Sequence, residues 1–352
     1  MHQSAARRVG RGAHHLARWL GSIAAVLILV VGFAIWRLMQ GPITLDWLAP
    51  YVEAGLERSG FGLKVAIGGV RLAIDRPTHQ LHLWAEGVRL SLPNGEPLAR
   101  FPQMATSFEL GALLQGELMP AQLVIEHPTV HLARGETGSL TARVGGPDDA
   151  APDLGPQMIE QLAGPRQRDA PFGLVPRLII RGATVVVDDK RTGQSWQADR
   201  VDLVVERSGR GVRGEFSLAS PIGSRLAEVR AEYRYIAERQ ILDLNLSIDG
   251  VEPTAIPPLI PELAQLQHLQ LPISGTLRTR VDLAQGMAQG SRLDLTLGKG
   301  QLQSEWLPKG IVAVEKGELH AIYAPEIAEV RLENFVLDLG AGTELILDGT
   351  LA

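Results

Sequence analysis

The stretch Leu242–Asp249 reads LDLNLSID. Leu242, Leu244, Leu246 and Ile248 occupy alternate positions, with Asp243, Asn245, Ser247 and Asp249 between them. Successive side chains of an extended strand point to opposite faces, so this segment carries one apolar face and one polar face. The same period of two recurs in LDLTL (Leu293, Leu295, Leu297), in EVRAEYRY (Val229, Ala231, Tyr233, Tyr235) and in VRLAID (Val70, Leu72, Ile74). Between such runs stand the turn signals LPNGEP, RGETGS, DKRTGQS and RSGRG, which predict hairpins. The fold class is therefore mainly β. Each alternating strand has an apolar face to hide, and a few short helices cannot cover so much sheet. Either two sheets stack as sandwiches, or one sheet curls around an apolar interior that a lipid chain can share.

The composition is that of a globular, turn-rich chain: 45% hydrophobic and 21% charged residues, with 38 Gly and 22 Pro among 352 residues. Cysteine is absent, which excludes disulfides, thiolate metal ligands and a thiol nucleophile. Five arginines and no acid precede Asp46, so the remainder carries 29 bases against 39 acids, a net −10. A body that acidic does not grip a nucleic-acid backbone.

Trp19–Trp36 is 18 residues long and free of charge. At about 1.5 Å per residue it spans roughly 27 Å, close to the thickness of a bilayer core. Tryptophan at each end suits the two interfaces, and four arginines before it against one after place residues 1–18 in the cytoplasm. A cleaved signal peptide fits less well, because RLMQGPI offers no small-residue cleavage site. The expectation is one N-terminal transmembrane helix over residues 19–36, with the body facing the periplasm of a Gram-negative-type envelope or the outside of another cell type.

Directly after this run, GPITLDWLAPYVEAGLERSG predicts an amphipathic helix from Asp46 to Arg58, capped by Asp46 and ended by Gly60. Its apolar stripe is Leu45, Leu48, Val52 and Leu56. Two further interruptions are expected. Residues 142–173, rich in Pro, Gly, Ala and Asp, read as a mobile loop with a helical turn at PQMIEQLA; Pro257–Leu269 reads as a short helix. The second sets a boundary near residue 252 between a first β region (41–252) and a second (253–352).

A search for chemistry finds no constellation. His79 and His82 fall on opposite strand faces, and His127 and His131 lack a third ligand nearby, so no metal site is expected. GKG at 298–300 lacks the long loop and hydroxyl of a phosphate cradle, and GRGVRG opens a strand instead of a helix. PIGS and PISG lack the strand-to-helix elbow of a serine nucleophile, and Asp188 with Asp189 precedes a turn. No catalytic residue and no cofactor are expected, and the chain is read as a non-enzyme.

The order of short motifs carries a resemblance. GVRLSLPNGEPLARFPQMATSFELGALLQGELMPAQLVIEHPTVHLARGETGSL, then LPISGTLRTRVDLAQG, GKGQL, KGELHAIYAPEIAEVRLENFVLDL and ELILDGTLA, resembles AsmA-like proteins, most nearly their YhdP-type branch. The likeness runs from Gly41 to Ala352. It implies an inner-membrane-anchored periplasmic protein whose extended, curved antiparallel sheet forms an apolar groove. Phospholipids would move along that groove toward the outer membrane, without cofactor or catalysis. Leu242, Leu244, Leu246, Ile248, Leu293, Leu295 and Leu297 are then the candidate lining. Leu48, Val52 and Leu56 either cap the groove at the membrane exit or pack on the first strands. Members that bridge the envelope are several times longer, so the chain is expected to continue past residue 352 or to be truncated there. At about 4.8 Å per strand its own sheet reaches on the order of 60–80 Å. Implied partners are phospholipid, the inner membrane and outer-membrane or envelope proteins. A scaffold for envelope assembly with a dry sandwich core is the rival reading.

Overall fold

The computed structural model describes most of residues 40–351, together with scattered positions between 25 and 38. Residues 1–24, 59–63, 76–79, 109–119, 136–139, 145–174, 256–265, 304–309 and some shorter stretches are not among them. The described positions between 25 and 40 are helical. No helix among the described residues is long and apolar enough to cross a membrane. Most of the expected span Trp19–Trp36 lies outside the described residues.

Strand β1 (Ile43–Thr44) leads through a 3-10 turn (Asp46–Leu48) into helix α1 (Ala49–Arg58). Next come β2 (Lys64–Ala66), β3 (Gly69–Asp75), β4 (Gln80–Ser91), β5 (Pro97–Phe108), β6 (Pro120–Glu126), β7 (Thr129–Arg134) and β8 (Leu140–Val144). Long hairpins follow: β9 (Arg177–Asp189), β10 (Gln194–Ser208), β11 (Gly211–Ile222), β12 (Arg225–Ile236) and β13 (Ile241–Val251). After these stand β14 (Leu269–Gln270), β15 (Ile273–Asp282), β16 (Met287–Leu297), β17 (Gly300–Gln303) and β18 (Ile311–Val314). The last three are β19 (Lys316–Ala324), β20 (Glu329–Asp338) and β21 (Glu344–Leu351).

Fourteen of these strands form one ladder in the order β3-β4-β5-β6-β9-β10-β11-β12-β13-β15-β16-β19-β20-β21. Every neighbour in it is antiparallel except β6 with β9. Chain order is kept throughout, as expected where hairpins join neighbouring alternating strands. At about 4.8 Å per step the ladder extends roughly 60 Å along its own curve. Strands β7 and β8 widen it locally, β7 lying parallel on β9 and β8 reaching β5 at Ala99. A separate three-stranded sheet is made of β14, β17 and β18.

Several boundaries differ from the sequence reading. The ladder runs straight through the expected division near residue 252, because β13 pairs with β15 across it. The expected loop begins too early: Ala142, Arg143 and Val144 belong to β8, paired with Leu132, His131 and Val130. Composition alone hid this, since glycine and proline become frequent only after Val144. Residues 145–173 lie outside the described residues, as does most of the expected helix 257–269; its visible end is a 3-10 turn at 266–268, and Leu269 is already in β14.

Curvature comes from bulges. Gly182 has φ +59, and the β9–β10 register shifts beside it. The Asp202 carboxylate accepts its N–H at 2.7 Å, holding the extra residue in place. Such bulges bend and twist a sheet. The early part of the ladder rolls until β4 and β5 face β11 and β12, so Val88, Phe101, Ile125 and Leu178 pack with Val212, Tyr233 and Tyr235.

Within that core the Tyr233 hydroxyl donates to the Val204 carbonyl at 3.0 Å, crossing over Gly214. Burial pushes the Tyr233 hydroxyl pKa up to about 12. A β-carbon at position 214 would collide with the Val204 carbonyl and come within 2.6 Å of the Tyr233 hydroxyl. Gly214→Ala should therefore overpack this core and cost about 1–3 kcal/mol, read as a lowered urea midpoint. An unchanged midpoint would mean that the roll is not packed as described.

Candidate functional site

The register runs two apolar rows along one face of the ladder, while over β4, β5, β6, β9 and β10 the other face is apolar too, with Ala105, Val124 and Ile179 buried beside Trp84 and Val204. One row runs Val70, Ala85, Met104, Ile125, Ile180, Leu203, Phe216, Ala231, Leu246, Leu277, Leu293, Ala321, Leu332, each opposite the next on its neighbouring strand. A parallel row runs Val201, Leu218, Val229, Ile248, Gly275, Leu295, Leu319, Phe335, Leu347. Neither row contains a polar side chain.

Cover on this face changes along the ladder. At the first strands Val70 is fully buried and Ile125 nearly so, and the half-buried Ala85, Met104 and Ile180 pack against the core that Ile125 and Leu178 share. From Leu203 onward the first row is only half-buried. Leu242, Leu244, Leu246, Leu277 and Leu293 belong to no packed core cluster among the described residues. The small sheet closes one margin of the later strands. There Leu271, Ile273, Leu297, Val314 and Leu337 form a core against which Ile248, Leu295 and Phe335 also pack. Beyond it the face opens, with Val330, Leu345 and Leu347 all at least 37% exposed.

The seven expected lining residues thus separate. Leu242, Leu244, Leu246 and Leu293 are half-buried on the apolar face; Ile248 and Leu295 pack beside the core under the small sheet. Leu297 is a correction, since at 8% exposure it is a core residue under the small sheet. Nothing in LDLTL distinguishes it from Leu293; the cover comes from residues outside the strand, Leu271 and Ile273 before it and Val314 and Leu337 after it. A hydroxyl pair interrupts this face, with Thr279 and Ser291 directly opposed and their oxygens 2.8 Å apart. Each satisfies the other, so the interruption adds little polarity.

The opposite face is wet and charged over the same strands. Arg213 donates to Glu206 at 3.0 Å, Arg280 to Asp243 at 2.6 Å and Arg292 to Glu333 at 3.0 Å. His320 Nδ1 lies 2.8 Å from the Asp294 carboxylate. The hydrogen bond from Arg213 holds the Glu206 carboxyl below its ordinary pKa, and that with His320 does the same for Asp294. Exposed pairs of this kind add little stability. They keep this side in water. An open depression of about 830 Å³ on the charged side gathers Arg177, Arg234, Arg278 and Arg292 with the Arg213–Glu206 and Arg280–Asp243 pairs, and Glu215 and Glu232 oppose the cations.

At the other end, helix α1 packs on the first strands. Ala49 is buried, and Leu48 and Val52 are half-buried. Leu56 lies in the helix, but its side chain is outside the described residues, as is Gly60. Asp46 does not cap the helix. It lies in the 3-10 turn ahead of α1, where Leu45 takes the cap position without a side-chain bond, and the Asp46 carboxylate accepts from the Val70 N–H at 3.2 Å. That N–H is left over where the pairing of β1 with β3 stops. Glu53 accepts from the Ile67 N–H at 2.6 Å, a second tie to the sheet.

His127 breaks β6 from β7 with φ +51, His131 lies within β7, and His82 is buried beside Trp84. No group of three His, Asp or Glu converges among the described residues. No family model matches the chain, and no curated protein or solved structure matches it.

Proposed function

We propose that the chain is a periplasmic lipid-handling protein, held in the inner membrane by Trp19–Trp36 with residues 1–18 in the cytoplasm. Its half-covered apolar face shields the acyl chains of phospholipids and lets them pass along the sheet toward the outer membrane. The observation that carries this reading is the unbroken row from Val70 to Leu332, packed into a core at one end and half-buried along the later strands, with Leu246, Leu277 and Leu293 outside any core cluster among the described residues. Full burial of a leucine is worth about 1.5–3 kcal/mol, so a trough of half-exposed leucines gains by taking up hydrocarbon. The charged opposite face supports the same reading, since only one side can hold an apolar ligand. The resemblance to AsmA-like proteins of the YhdP type agrees with it in fold, compartment and lack of chemistry.

The passage is not uniform. The rolled core around Val88, Phe101 and Leu178 fills the part next to α1, so the open trough begins near β12 and β13. Helix α1 accordingly acts as packing on the first strands and not as a lid over an open mouth. The rival reading, a dry-cored scaffold for envelope assembly, is favoured only by that filled first part. Native mass spectrometry of the full chain released in mild detergent separates the two. Bound phospholipid at defined stoichiometry is expected, and a chain that is lipid-free while folded would overturn the lipid reading.

A further inference from the structure

Among the described residues, every exposed aromatic side chain falls between residues 33 and 51. Phe33 is 63% exposed and Trp36 55%, their rings 5.6 Å apart; Trp47 is 67% exposed and Tyr51 69%, meeting edge to face at 6.3 Å. Trp47 and Tyr51 are four positions apart and lie on the side of α1 turned away from the sheet. The inward side carries Leu48, Ala49 and Val52, and Asp46 and Glu53 tie it to Val70 and Ile67. The outward direction of the aromatic pair is therefore fixed by the fold.

Only residues 37–42 separate Trp36 from β1, whose Ile43 is already paired with Leu72 of the sheet. So short a connection leaves no tether long enough for the body to stand off from whatever holds the apolar run. Tryptophan and tyrosine partition to the bilayer interface, where the ring meets acyl chains and the polar edge meets headgroups. Resting on the reading of Trp19–Trp36 as an anchor, we infer that Trp47 and Tyr51 bed into the headgroup layer of that membrane. Helix α1 is then a two-sided plate. One side packs on the sheet, the other seats on the bilayer, and together they set the angle at which the ladder leaves the membrane.

The chain has no cysteine, so single labels can be placed without background changes. The test uses the full chain in vesicles of phosphatidylethanolamine and phosphatidylglycerol. A spin label at Pro50→Cys, exposed between the two aromatics, reports collisions with oxygen against a water-soluble nickel complex. A second label at Leu29→Cys reports the anchor. Both labels should favour oxygen, and adding Trp47→Ala with Tyr51→Ala should shift only the Pro50→Cys label toward nickel. Oxygen-favouring Leu29→Cys with nickel-accessible Pro50→Cys in the otherwise unaltered chain would overturn the seating and leave the anchor standing. Nickel access at Leu29→Cys would overturn both. A Pro50→Cys signal unmoved by the double alanine change would overturn the role given to the aromatic pair.

Discussion

Leu297→Asp is expected to unfold the later half of the ladder, although Leu297 lies on the same strand and the same face as Leu293. The side chain is 8% exposed and packs with Leu271, Ile273, Val314 and Leu337, so a carboxylate there has neither water nor a cation. Removal of the side chain alone, in Leu297→Ala, should cost about 2–5 kcal/mol by the loss of packing and the cavity left behind. The charged variant should cost more, enough to abolish the cooperative transition in urea. Retention of the wild-type midpoint by Leu297→Asp would mean that the small sheet does not cover this margin.

Leu246→Asp should behave in the opposite way. Leu246 is half-buried and outside every packed cluster among the described residues, between Ala231 and Leu277 on the apolar face. An aspartate there keeps contact with water while the trough is empty, so circular dichroism and the urea midpoint should stay near those of the unaltered chain. When lipid enters, the same charge must sit among acyl chains at a cost of several kcal/mol. Phospholipid retained through purification should fall about tenfold or more, since each 1.4 kcal/mol is worth a factor of ten. Ser247→Asp, on the charged face opposite Arg230, is the control and should retain lipid fully. A Leu246→Asp variant that unfolds would show that this face is a dry core.

The contrast between these two leucines marks how far the sequence could be read. Period-two alternation in LDLNLSID and LDLTL was enough to reveal strands, hairpins and one apolar face per strand, because side-chain direction depends only on local geometry. Which strand faces line up is a matter of register, and register is settled by turns and by bulges such as that at Gly182. The row from Val70 to Leu332 was therefore invisible, although Val70, Ala231, Leu246 and Leu293 sat in strands that the alternation marked. Cover was harder still. Leu297 is sealed by Leu271, in the bend between β14 and β15, and by Val314, in a four-residue strand with little alternation to expose. The position of Asp46 before α1 pointed to a cap, but a nearby unpaired backbone N–H on β3 competed for its carboxylate and won. Chain segments between strands misled by composition: the break near residue 252 carries proline without interrupting the ladder.

The central claim is that hydrocarbon occupies the uncovered face and no other. A photoactivatable benzophenone amino acid placed singly at Leu246, Leu277 or Leu293 tests it most directly, with Ser247 and Arg230 as positions on the charged face. Irradiation of the full chain in phospholipid membranes, followed by mass spectrometry of its peptides, should yield phospholipid adducts at the three leucine positions and none at the other two. Equal yields on both faces, or folded protein with no lipid adduct at any leucine position, would contradict the account.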